Sequence, residues 1–261
     1  MTPRALPPAP PSTAFFSGPP PRGADADRSG WLAGDEFEWI LFDLEGTLID
    51  ERDPARWSEA AGPVGLPSEP ESLAHFYAEV AEATDAAGGA VGTPEFWQRV
   101  FGRVGGAPPD PARVGRFLDR LAEEPAPVRA FSDVRWCLKE LARCRISVGV
   151  LANHPSEAAL GDLLARAGLS GRFQFLLASG SEGVAKPDPE IFRRALGRIR
   201  RPADRVAYVG DRRHEDVRCA RAAGLAAFWL NRPGTGFGPE PAELTSLTEL
   251  PGAIGAGARV K

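Results

Sequence analysis

The chain has 261 residues, 43% of them hydrophobic and 25% charged, with a formal net charge of −4. It is long enough for a sizeable core, and its balance is that of an ordinary globular protein. It carries no basic excess for a nucleic-acid backbone, no run of about 18 apolar residues for a membrane span, and no apolar secretory leader, so nucleic-acid and membrane partners are not expected and the expected location is cytoplasmic.

Residues 1–30 hold eight of the 26 prolines among Ala, Ser, Gly and Arg. Such a composition buries too little apolar surface to offset its ordering entropy, so a disordered arm is expected. The first strong apolar run, Phe37–Phe42, is short, aromatic and β-branched and predicts a buried strand. Further buried strands are predicted over Ile146–Leu151, Gln174–Leu177, Val206–Val209 and Ala226–Leu230. Amphipathic helices are predicted between them, over Asp133–Arg143, Ser156–Ala167, Asp188–Ile199 and Glu215–Ala223. Gly168 and Gly224 follow two of these as helix-ending glycines. Regular strand–helix alternation implies an α/β class: a Rossmann-like parallel sheet with helices on both faces.

Residues 51–128 break the rhythm. Capping signals at Ser68 with Glu71, at Thr93-Pro94 and at Asp110-Pro111 predict helices over Leu73–Ala83, Glu95–Val104 and Arg113–Glu123. The expected organisation is a Pro-rich arm (1–30), an α/β core (31–50 and 129–251), a small all-helical cap (51–128) and a flexible tail (252–261). Ligands of open α/β sheets bind at the carboxyl ends of the strands, so the cap would roof the site.

Four segments fall at those ends: Asp43-Leu44-Glu45-Gly46-Thr47, Leu151-Ala152-Asn153, Lys186-Pro187-Asp188-Pro189 and Gly210-Asp211 through Asp216. Together they bring several carboxylates and one lysine to one cleft. Clustered carboxylates repel unless a cation neutralises them, and oxygen ligands with few His or Cys favour Mg²⁺. The three cysteines, Cys137, Cys144 and Cys219, show no metal or disulfide spacing. Lys186 is one of three lysines in the chain, and an ammonium facing carboxylates suits a phosphate or a developing negative charge.

From about Trp39 to Arg232, these four segments resemble the motifs of the haloacid dehalogenase (HAD) superfamily, in the subclass with a helical cap after the first motif. The resemblance implies a Mg²⁺-dependent phosphatase acting on a small phosphorylated molecule. Asp43 would be the nucleophile and a metal ligand. Glu45 would give its carbonyl to the metal and its carboxyl as acid/base. Lys186 would hold nucleophile and phosphoryl group, and Asp211 and Asp216 would hold Mg²⁺, one of them through water. Backbone N–H groups around Leu44 and Asn153 would cradle the phosphoryl oxygens.

Two positions depart from that pattern. Glu45 stands where the family has Asp, displacing the carboxyl by roughly 1.5 Å, and a misplacement near 1 Å costs about 100-fold. Ala152 stands where the family has Ser or Thr, forfeiting a charge-assisted bond of about 1.5–3 kcal/mol. A catalytically impaired binding or regulatory relative is therefore the alternative. His154 stands either against substrate or as a helix-entry residue before Pro155, and His214 reads as a solvated loop residue.

Overall fold

The computed structural model describes residues 37–50, 54–66, 68, 97–99, 101–102, 107–123, 128–232 and 244–255. The expected arm, the Ser68–Glu71 box and the Leu73–Ala83 helix lie outside them, the box by its Glu71.

Five strands form one parallel sheet: β1 (Trp39–Phe42), β4 (Ser147–Ala152), β5 (Phe175–Ala178), β6 (Val206–Gly210) and β7 (Ala226–Trp229), in the order β5-β4-β1-β6-β7, while β2 (Ile49–Asp50) and β3 (Arg129–Ala130) pair apart from it. β1 is the central strand, with Ile40 opposite Val148 on one side and Ala207 on the other. Successive side chains leave a strand on opposite faces. Ile40 and Phe42 accordingly join a core with Val148, Val150, Ala207 and Val209, while Leu41 joins a second core with Leu151, Val206 and Tyr208. The first core is covered by Val134–Arg143 and Glu157–Arg166, the second by Glu190–Ile199 and Cys219–Ala222. Burial on both faces explains why these strands read as continuous apolar runs. No helix among the described residues is long and apolar enough to cross a membrane.

Local signals acted as expected at several ends. Ser156 accepts the backbone N–H of Ala159 at 3.2 Å as an N-cap, and Asp110 accepts that of Ala112 at 2.9 Å. Gly168 has φ +68°, the left-handed conformation that closes a helix without Cβ strain. Other elements differ from expectation. The second strand is displaced by one residue, so Ala152 is its last member. The helix expected from Glu215 begins instead as a π-helix over Arg213–Arg218, continued by Cys219–Ala222. A short antiparallel pair, Ile49–Asp50 with Arg129–Ala130, flanks the expected cap segment and was not foreseen. Nor was a helix over Pro54–Ala61, because its pattern is weakly amphipathic. The first residues of the tail expected from Gly252 are structured: Leu250–Ala253 is helical and Ile254 is buried in the first core, while residues 256–261 lie outside the described residues.

Within 51–128 the described residues are helical wherever they carry regular structure. Pro111–Glu123 is the longest such helix, and its Phe117 stacks edge-on against Phe101 at 5.2 Å and Trp97 at 6.1 Å. Arg113 ties it back to the chain after Pro54–Ala61, donating to the carbonyl of Val64 at 2.8 Å.

One buried ion pair fastens the segment after β7 to the first motif. Arg232 donates to Asp133 at 2.7 and 3.1 Å and to the Thr47 carbonyl at 2.7 Å, and it lies 4.0 Å over the Phe131 ring. Asp133 also accepts from Ser246 Oγ and from the backbone N–H of Leu247. Burial alone would raise the Asp133 pKa, but Arg232 and these donors outweigh it and hold the carboxyl below its ordinary value. Asp133→Ala leaves a buried guanidinium uncompensated and is expected to cost about 3–5 kcal/mol, read from urea denaturation. A loss under about 1 kcal/mol would place this pair among weak surface pairs.

Candidate active site

β1 ends at Phe42, and the next residue, Asp43, is 7% exposed. Its backbone N–H bonds to Val209 O on β6, so the carboxyl is fixed at the carboxyl edge of the sheet. The chain then turns tightly: Leu48 and Ile49 both donate to the Leu44 carbonyl. Gly46 has φ +76°, and a Cβ there would strike the Asp211 carboxylate. Glycine thus satisfies two demands at once, backbone conformation and close approach of a neighbouring acid.

Lys186 enters from the loop before Glu190–Ile199 and is buried. Its Nζ lies 2.6 Å from Asp43 Oδ1, 2.6 Å from Asp216 Oδ1 and 3.0 Å from the Tyr208 hydroxyl. Three acceptors match the three N–H groups of one ammonium. Asn153 holds this loop by a reciprocal pair: its Nδ2 donates to Lys186 O and its Oδ1 accepts from Lys186 N, both at 2.9 Å.

The segment after β6 supplies the remaining acids. The π-helix inserts one extra residue into the turn, a feature common at functional sites. Glu215 and Asp216 are both buried there. Asp216 Oδ2 accepts the backbone N–H of Arg212 at 2.9 Å, and Oδ1 is engaged by Lys186 and Tyr208, so both of its oxygens are occupied. Asp211 differs: its Oδ1 is buried with no hydrogen-bond partner among the described residues.

Asp43, Asp211 and Asp216 bring ligand oxygens within 4.8 Å of one another. Burial raises the Asp43 pKa; Lys186 opposes the rise, Asp216 adds to it, and the outcome is about 6. Burial, and next the charge of Asp43, pushes Asp211 well above the ordinary carboxylate range. Burial alone would lower the Lys186 pKa, but Asp216 and Asp43 outweigh it, so Lys186 remains an ammonium. Three carboxylates against one lysine leave excess negative charge in a buried place. The bare Asp211 oxygen and the hard-oxygen donor set fit a divalent cation such as Mg²⁺.

The cleft is lined by Asp43, Leu44, Glu45, Ala152, Asn153, His154, Lys186, Arg212 and Glu215. Every residue read from the sequence as a site member is therefore either on its wall or, for Asp211 and Asp216, in the acid cluster that shares Asp43 with it. Glu45 is exposed, and its carboxyl stands outside that cluster. Ala152 presents a methyl group where a hydroxyl was the family expectation. Tyr208, Arg212 and Glu215 were missed as site residues. Tyr208 could have been noticed as a hydroxyl inside the apolar run Val206–Val209, since a buried Tyr seeks a partner. Arg212 and Glu215 lie in a charged stretch that reads as solvated. His214 is half-buried and Arg213 exposed, the latter 4.8 Å over the Trp229 ring.

The fold and the cleft define a parallel-sheet α/β protein with an acid–lysine site at its strand ends. Residues 37–224 match the family model of haloacid dehalogenase-like hydrolases. The chain belongs to that family. It is 30% identical over 235 residues to haloacid dehalogenase-like hydrolase domain-containing protein 3 of Danio rerio, covering 83% of this chain and 96% of that one. It is 32% identical over 192 residues to a phosphoserine phosphatase of Thermus thermophilus, covering 72% and 71%. Among solved structures, the putative HAD-hydrolase YfnB of Bacillus subtilis shares the fold with a TM-score of 0.59 at 19% identity, covering 84% of this chain and 99% of that one.

Proposed function

We propose that the protein is a Mg²⁺-dependent phosphomonoester hydrolase that works through an aspartyl-phosphate on Asp43. The observation that carries this reading is the Lys186 ammonium held 2.6 Å from both Asp43 and Asp216, with the bare Asp211 oxygen beside them. The phosphoserine phosphatase relative supports the same substrate class, a small organic phosphate.

Asp43 attacks phosphorus through a carboxylate oxygen, forming a P–O bond as the ester oxygen leaves. Lys186 keeps the carboxylate aligned and offsets the charge that gathers on the phosphoryl oxygens. Glu45, at the mouth of the cleft, donates the proton to the leaving oxygen, and water then hydrolyses the aspartyl-phosphate, with Glu45 taking its proton. Asp43 and Asp211, with the Glu45 carbonyl, would hold Mg²⁺, and Asp216, its oxygens already bonded, would act through water. When bound, the ion neutralises charge shared between carboxylates and phosphoryl oxygens.

Protons compete with the cation for Asp43 and Asp211, whose pKa values are both raised. Mg²⁺ is therefore expected to raise the melting temperature markedly at pH 8 and little at pH 5, read by scanning calorimetry. An equal shift at both pH values would count against these two ligands.

A second reading, a non-catalytic phosphate- or metal-binding relative, is favoured by the exposed Glu45 and the Ala152 methyl group. Turnover of a broad phosphomonoester panel, with and without Mg²⁺, separates the two. Mg²⁺-dependent release of phosphate supports the hydrolase, and no release from any ester supports the binding protein.

A further inference from the structure

The Arg212 side chain does more than neutralise its neighbours. Its backbone N–H is fixed by Asp216 Oδ2 at 2.9 Å, and its Nη1 is fixed by Glu215 Oε2 at 2.7 Å. Glu215 is 2% exposed, so it holds the guanidinium from inside the protein. The Nε and Nη2 groups make no hydrogen bond among the described residues, and the side chain is 28% exposed on the cleft wall. That leaves a planar two-donor edge without a hydrogen bond among the described residues, on a side chain held through Nη1 and on a residue that lines the cleft with Lys186 and Asn153. Such an edge matches two oxygens of a phosphoryl or carboxylate group. The cleft is small, and Ala152 on the same wall offers the phosphoryl group no hydroxyl.

We propose that Arg212 is a phosphoryl-binding residue, supplying through Nε and Nη2 the contact that Ala152 lacks, and that Glu215 is the residue that positions it. The proposal rests on the cleft taking a phosphoryl group, but not on turnover.

The test is calorimetric titration of inorganic phosphate into the full chain with Mg²⁺ present. Arg212→Gln is expected to weaken phosphate binding about 10- to 100-fold, the loss of a charge-assisted pair of bonds. Arg212→Lys keeps a cation beside Glu215, so it guards against misfolding, and still loses about 5-fold or more because an ammonium has no fork. Adding Ala152→Ser to Arg212→Gln is expected to recover part of the loss, which a merely structural arginine would not allow. Glu215→Gln is expected to fall between wild type and Arg212→Gln. The proposal is overturned if wild type binds no phosphate, or if both Arg212 variants bind it within about 2-fold of wild type. Phosphate binding that depends on Arg212 in a protein that hydrolyses no ester upholds the proposal and defeats the hydrolase reading.

Discussion

Asp43→Asn is expected to lower kcat by about 10⁴-fold or more, with the fold intact and KM little changed. The amide has the size of the carboxylate and keeps an oxygen to accept from Lys186, which sits 2.6 Å from Asp43 Oδ1. What it lacks is the charged oxygen that forms the bond to phosphorus. The stability consequence has the opposite sign. The Asp43 pKa stands near 6, above its ordinary value, because burial outweighs Lys186. A group of this kind contributes stability below its unfolded pKa of about 4, and that contribution is lost as pH rises through about 6. At pH 8 without Mg²⁺ the wild type thus carries an ionised group that its surroundings disfavour, and Asn relieves it. The variant is expected to melt no lower than wild type at pH 8 in chelator. Full stability with lost turnover, measured by calorimetry and single-turnover assay, identifies a residue kept for chemistry. Retained turnover in Asp43→Asn would remove the nucleophile from the proposed mechanism.

The sheet was legible because its strands are buried on both faces. Ile40, Leu41 and Phe42 have no polar face to hide, so the run stands out against its surroundings. Asp43, Lys186 and Asp211 were legible for a related reason: charged residues beside buried strands are costly unless they serve one another. Elements with weak local signals were lost. Ile49–Asp50 and Arg129–Ala130 are two residues long each, and their pairing joins positions 79 and 81 apart. No local pattern encodes such a contact. The π-helix was lost for a subtler reason. Its residues Arg213–Arg218 are polar and charged, and one extra residue per turn changes which of them face inward. Glu215 and Arg212 were therefore given no role from the sequence, although the first is buried and the second lines the cleft. Asn153 was read for its backbone, yet its side chain straps the Lys186 loop, a partner 33 residues away in sequence.

Lys186→Met is expected to lose about 10²–10³-fold in kcat/KM and about 3–5 kcal/mol of stability at pH 8. Methionine fills nearly the same volume, so the loss is one of charge and not of packing. With the ammonium gone, Asp43 Oδ1 and Asp216 Oδ1 lose a donor that stands 2.6 Å from each, and two buried carboxylates face each other. Lys186 is what opposes the raised pKa of Asp43, so without it that pKa rises further and protonation of Asp43 relieves the repulsion at lower pH. The stability deficit is therefore expected to shrink as pH falls from 8 to 5, and pH-dependent urea denaturation reads it directly. A deficit that does not change with pH would mean that packing, not charge, is the cause. Lys186→Arg is not expected to rescue. One nitrogen serves Asp43, Asp216 and Tyr208 together, at 2.6, 2.6 and 3.0 Å. A tetrahedral ammonium directs three N–H groups from one atom, whereas a planar guanidinium spreads its donors over three nitrogens. The site therefore selects the geometry of lysine as well as its charge, and the hydroxyl of Tyr208, bonded also to Leu151 O at 3.0 Å, is part of what enforces that choice. Tyr208→Phe, which keeps the charges and removes this third acceptor, is expected to cost far less than Lys186→Met in the same assays.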